Sequence, residues 1–141
     1  MRKLITGIDS SGRSCIVEES SLAFEPAAAP GVASAILAAT SSVPPPPRSP
    51  GHANTNDLGV APGHVSWVVV EYEPNLHIPM HNTDTIDFDI VLEGSVEVGL
   101  DDGMHGMGPG DHIVMNGLDH SWTAGPDGCK ISVILIGTPP P

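Results

Sequence analysis

Cysteine, basic side chains and long apolar runs are all scarce in this sequence, and each scarcity closes off a class of protein. The two cysteines, Cys15 and Cys129, lie far apart and form neither a C-x-x-C pair nor a Cys/His spacing. A zinc knuckle, a redox motif and a disulfide framework are therefore unsupported, and both are expected as reduced, buried thiols. A single domain of this size buries roughly 68–70% of its unfolded surface and needs no such staple. Only five Lys and Arg stand against 17 Asp and Glu, a net charge of −12. Phosphates would find nothing basic to neutralise them, so nucleic acid is not an expected partner. The same charge repels anionic membranes, softened only when the seven His protonate at low pH. No stretch approaches the ~18 apolar residues of a membrane span. The two basic residues of MRKLITGIDSSGRS are not followed by an apolar run of secretory type. A cytoplasmic protein is the expectation.

What is present is a succession of short β-branched runs broken by Gly, Pro and Asp, with no sustained period of 3.6, which predicts an all-β chain. LITGI and SCIVEE flank a turn-forming DSSG and predict a hairpin over residues 3–18. Residues 22–40 are Ala-rich but interrupted by Pro26, Pro30 and Gly31, and a strand is expected over Val32–Thr40. Residues 41–63 hold PPPP and further Pro and Gly, an irregular excursion that serves as a lid, an arm or a plain linker. From Val65 onward six strand-like segments follow at short spacing, with turns at Asp101–Gly103 and Pro109–Asp111, as in a sandwich or barrel. The organisation is thus an N-terminal hairpin and Ala/Pro-rich arm over residues 1–63 ahead of a barrel core over residues 64–138, together one structural domain.

Alternation locates the chemistry. From His81 to Val91 the odd positions are His81, Thr83, Thr85, Asp87, Asp89 and Val91, whereas Ile86, Phe88, Ile90 and Leu92 share the other face. Periodicity alone fits a half-buried strand with its acids in solvent. Two sequence blocks turn that face inward instead. MHNTDTIDFDIVLEGSVEV, followed after a hairpin by GPGDHIVMNGLDHSW, resembles the two motifs of the cupin superfamily. His81 stands at the first His position of the first motif, Thr83 at the second, Asp87 at the Glu and Gly94 at the Gly. Gly110 and Asp111 open the second motif and His120 closes it, with Asn116 where a Pro is usual and Ala124 where an Asn is usual. HNTDTID and HSW are closer to small single-domain cupins with His-x-Thr-x-Thr-x-Asp and His-x-Trp.

The resemblance implies a jelly-roll barrel (a double-stranded β-helix) with an N-terminal β-hairpin extension, and a small-molecule enzyme more than a storage protein. With Thr83 in place of a His and Asp87 in place of a Glu, no cofactor is favoured. A divalent transition metal, if used, would fall to His81, Asp87 and His120. Without one, His81, Asp87 and His120 still form an acid–base set in a shielded lumen, able to abstract a proton next to a carbonyl and protonate a departing hydroxyl. Thr83 and Thr85 would orient a substrate oxygen, Trp67 and Trp122 would wall a ring, and Glu71 is a reserve carboxylate. His77 and His112 are expected outside the ligand set, and His52, His64 and His105 at the surface. The leading expectation is a lyase or isomerase of dehydratase, decarboxylase or cyclase type acting on a biosynthetic or catabolic intermediate. A metal-dependent dioxygenase and a non-catalytic small-molecule binder stay open. The apolar parity of the Asp87 strand needs a cover, which predicts a homodimer.

Overall fold

The computed structural model describes residues 1–141 and contains strands only. In chain order they are β1 (Arg2–Ile8), β2 (Ser14–Ser21), β3 (Glu25–Pro26), β4 (Ala33–Ser34), β5 (Asn54–Thr55) and β6 (Val65–Tyr72). Then come β7 (His77–Asn82), β8 (Thr85–Leu100), β9 (Gly103–Met107), β10 (His112–Met115) and β11 (His120–Gly137). The expected hairpin is β1–β2, and the expected turn at Asp101–Gly103 joins β8 to β9. No helix is long and apolar enough to cross a membrane.

One sheet runs in the order β2-β1-β10-β8-β11-β7-β5, with β6 on β11 and β9 on β8. The path does not return on itself, so the sheet is a curled half-barrel. Two long strands give it its curl. The first half of β8 pairs with β10 and with the second half of β11, whereas its second half pairs with β9 and with the first half of β11. Register breaks at Ala124/Cys129 and Lys130/Ile131 let β11 bend between the two halves. At the bend Gly94 has φ 72°, and a side chain there would collide with the Gly128 carbonyl, which accounts for the motif glycine. The N-terminal hairpin belongs to the sheet: β1 lies parallel to β10, and Asp101 accepts the Ser14 N–H at 2.8 Å.

The core is one cluster of buried side chains that includes Leu4, Val91, Val96, Val98, Ile113 and Ile131. Truncating one such side chain to Ala typically costs about 2–5 kcal/mol. Cys129 is buried, Cys15 is half-buried, and both are free. The strand expected over Val32–Thr40 is reduced to the two residues of β4, which pair only with Glu25–Pro26. Alanine supplies too little apolar side chain to hold a longer strand on the sheet. In residues 41–63 only Asn54 and Thr55 pair, parallel to His81 and Asn82 of β7.

Candidate active site

The polar parity of β8 faces inward. Asp87 and Asp89 are buried on the concave side of the sheet while Ile86, Phe88 and Ile90 lie on the convex side, half exposed. Register brings His81 on β7 opposite His120 on β11, and the two rings stand 4.3 Å apart. These side chains line a cavity of about 280 Å³, near the lower end of the ligand-pocket range. Its walls are largely aliphatic, from Val68, Val70, Ile78 and Val133 among others, with Tyr72 and Trp122 adding two aromatic faces.

Each imidazole is held the same way. His81 Nδ1–H donates to the Pro79 carbonyl at 2.9 Å and His120 Nδ1–H to the Leu118 carbonyl at 2.7 Å. These bonds to carbonyls fix the tautomer and leave both Nε2 atoms as lone-pair acceptors. Trp122 meets the His120 ring edge-on at 5.9 Å.

Burial then sets the charge state. It pulls His120 down to about 4, partly offset by the Leu118 hydrogen bond, so the imidazole is neutral at neutral pH. Burial pushes Asp87 up to about 7 against the opposing pull of the Thr85 hydroxyl. Asp89 is pushed well above the ordinary carboxylate range, by burial first and by the Asp87 charge second. Asp87 Oδ1 and Asp89 Oδ1 are buried with no hydrogen-bond partner. Such orphaned acceptors are rare in folded proteins, and here both sit on the wall of a cavity. Tyr72 is likewise pushed upward by burial, so its phenol keeps its proton.

Of the residues singled out from sequence, His81, Thr83, Asp87, His120 and Trp122 meet in this cavity. Thr85 does not line it; its hydroxyl donates to Thr83 Oγ1 at 3.0 Å and thereby orients Thr83. Trp67 and Glu71 are corrections. Both project from the outer face of β6, Trp67 76% exposed with its Nε1–H on Ser132 and Glu71 near Lys130. The inward parity of β6 is Val68, Val70 and Tyr72. His77 is exposed and bonded to Thr123, outside the cavity. Asp89, Tyr72 and Asn56 were missed as lining residues. Asp89 shares the parity of Asp87 and was legible; Asn56 comes from the irregular segment and was not.

A metal centre of the three-His, one-Glu kind does not fit these side chains. Two imidazoles present free Nε2 atoms, but no three His, Cys, Asp or Glu side chains stand close enough together to hold an ion. Thr83 occupies the place of a third imidazole.

No family model matches the chain, and no curated protein does. Among solved structures it is similar to a protein of unknown function from Rhizobium leguminosarum bv. viciae 3841, with 21% identity, 53% of this chain and 72% of that one covered, and a TM-score of 0.49. It is also similar to the polyketide cyclase RemF from Streptomyces resistomycificus, with 29% identity, 50% and 53% covered, and a TM-score of 0.46. A third likeness is to a cupin-2 domain containing protein from Shewanella frigidimarina NCIMB 400, with 26% identity, 50% and 68% covered, and a TM-score of 0.44. The curled all-β sheet, the inward His/Asp face and the placing of the two sequence blocks on β7–β8 and β10–β11 agree with the fold that the resemblance to the cupin superfamily implies.

Proposed function

We propose that the lumen binds a small, uncharged, largely apolar carbonyl compound and transfers protons on it, as a lyase or isomerase of dehydratase or cyclase type. One observation carries this reading. His120 is drawn down to about 4 and Asp87 up to about 7 in one cavity, so near neutral pH the imidazole is free to accept a proton and much of the carboxyl retains one to give. Groups whose surroundings push their pKa values in opposite directions mark acid and base roles. The substrate class follows from the lining: no Lys or Arg reaches the cavity to pair with a phosphate or carboxylate.

In the dehydration form, His120 Nε2 takes the proton next to the carbonyl and the electron pair of that C–H bond forms the new C=C. The β-hydroxyl leaves as water, carrying the Asp87 proton. His120 ends protonated and Asp87 ionised, and proton return through solvent resets both. Thr83, braced by Thr85, donates to the carbonyl oxygen as charge develops there. His81 packs against His120 and is available to hold the second oxygen.

The test is exchange in D2O with a panel of neutral β-hydroxy carbonyl compounds, read by mass spectrometry. Deuterium uptake next to the carbonyl that disappears in His120→Ala supports the reading. Binding without exchange in any compound makes the protein a binder and overturns it. For an active compound, kcat/KM should rise as pH climbs through about 4, where His120 loses its proton, and fall through about 7, where Asp87 loses its own.

A further inference from the structure

The irregular segment before β6 borders the lumen and is fastened there by buried groups that the acid–base chemistry does not use. Asn82 and Asp119 each precede or follow a cavity histidine by one position, and both are buried. The Asp119 carboxylate accepts the His52 N–H at 2.6 Å, the Ala53 N–H at 3.3 Å and an N–H of the Asn82 amide at 2.8 Å. Asn82 also donates to the Ala53 carbonyl at 2.9 Å and accepts the Thr55 hydroxyl at 2.7 Å. The Asn56 N–H donates to the Asn82 carbonyl at 2.8 Å. Arg48 anchors the near end, pairing with Asp84 at 3.0 Å and donating to Thr55 at 3.1 Å. The result is that Asn56 and Leu58 complete the cavity wall.

We propose that residues 48–58 form a latched wall of the lumen, that Asn82 and Asp119 are positioning residues holding it, and that Asn56 is a ligand-binding amide. The proposal rests on the lumen being the ligand site. A buried carboxylate spent on strap backbone amides fixes where the strap lies, and the two side chains it delivers are one apolar, one able to donate and accept. Asn56 therefore adds a polar contact opposite the aliphatic walls and selects ligands with an oxygen function there.

The experiment is chosen so that the latch is read without turnover. In a Trp67→Phe background the single remaining tryptophan is Trp122, 7% exposed on the lumen wall. Gly51→Ala is the cleaner disruption. A methyl there would press into the Asp119 carboxylate and stand 2.7 Å from the Asn82 amide nitrogen, while leaving every lumen residue in place. Gly51→Ala and Asp119→Asn should each raise acrylamide quenching of Trp122 at least about threefold and speed amide exchange at His52, Ala53 and Asn56, with β8 and β11 amides still protected. Unchanged quenching in Gly51→Ala despite released strap amides overturns the wall, and unreleased amides overturn the latch. Asn56→Ala should leave quenching as it was and, with an active compound, raise KM about tenfold while kcat stays within about twofold. A fall in kcat with KM unchanged would overturn the binding role of Asn56. If no compound is turned over, the acid–base reading fails and the quenching result still decides the latch.

Discussion

The two faces of β8 invert the ordinary arrangement of a protein strand. Its concave side carries Thr85, Asp87 and Asp89, all buried, and its convex side carries Ile86, Phe88, Ile90 and Leu92, half exposed or exposed. The convex apolar strip continues across register partners, from Val114 on β10 through Phe88 and Ile134 to Trp67 on β6. Buried carboxylates and apolar surface left partly open to water both cost stability. The proposed ligand on one side and an expected covering surface on the other would account for both.

The sharpest way to break that contrast is on the concave side. His120→Ala and Asp87→Asn should each lower the rate by roughly 10²–10⁴-fold, with substrate binding retained in Asp87→Asn. The same Asp87→Asn change should stabilise the fold. Between the ordinary carboxylate value of 3.8 and about 7 only the unfolded chain ionises at this position, so stability falls as pH rises through that window and stays lower above it. Asparagine escapes the loss. Its Tm at pH 8 should exceed that of the parent by at least about 3 °C and converge with it as pH falls toward 4; equal melting at pH 8 would mean that Asp87 is not held protonated.

The two tryptophans compare the faces directly. Trp122→Ala should cost about 3–5 kcal/mol in denaturant unfolding, as for a core aromatic, whereas Trp67→Ala should cost under about 1 kcal/mol in the isolated protomer. On the convex side the expected cover is a second copy of the chain. With a net charge of −12 the molecule repels itself over most of its surface, and the Phe88–Ile134–Trp67 row is free of acids. Light scattering should give a dimer at micromolar concentration and a monomer for Ile134→Asp; a monomeric parent would leave the strip unexplained. The smallest effect concerns metal. Because the side chains supply no three-donor set, EDTA should change turnover by less than about twofold, and loss of turnover with a stoichiometric metal in elemental analysis would recast His81 and His120 as ligands.

Much of this was legible in the sequence because β-branched runs, turn residues and parity are local signals. The hairpin, the run of strands and the polar parity of the row from His81 to Asp89 follow from them, whereas the inward direction of that row came from the resemblance of the two motif blocks. Two failures have physical reasons. On β6 both parities are apolar, Val65, Trp67 and Val69 against Val68, Val70 and Tyr72, so alternation did not say which side turns inward. The strap is held by bonds between its backbone and side chains 29 or more positions away, such as His52 to Asp119, and such pairings leave no periodic trace.

The parallel pairing of β1 with β10 bears on how the chain reaches this state. Lys3 lies beside His112 and Ile5 beside Val114, so β1, once made, has no sheet neighbour except its own hairpin partner until β10 has also been made. Loop closure over that span must precede the contacts that reward it. Folding should therefore fall in the millisecond-to-second regime of non-local β topologies, with β1–β2 docking late and its open edge available, until then, to any other nascent copy.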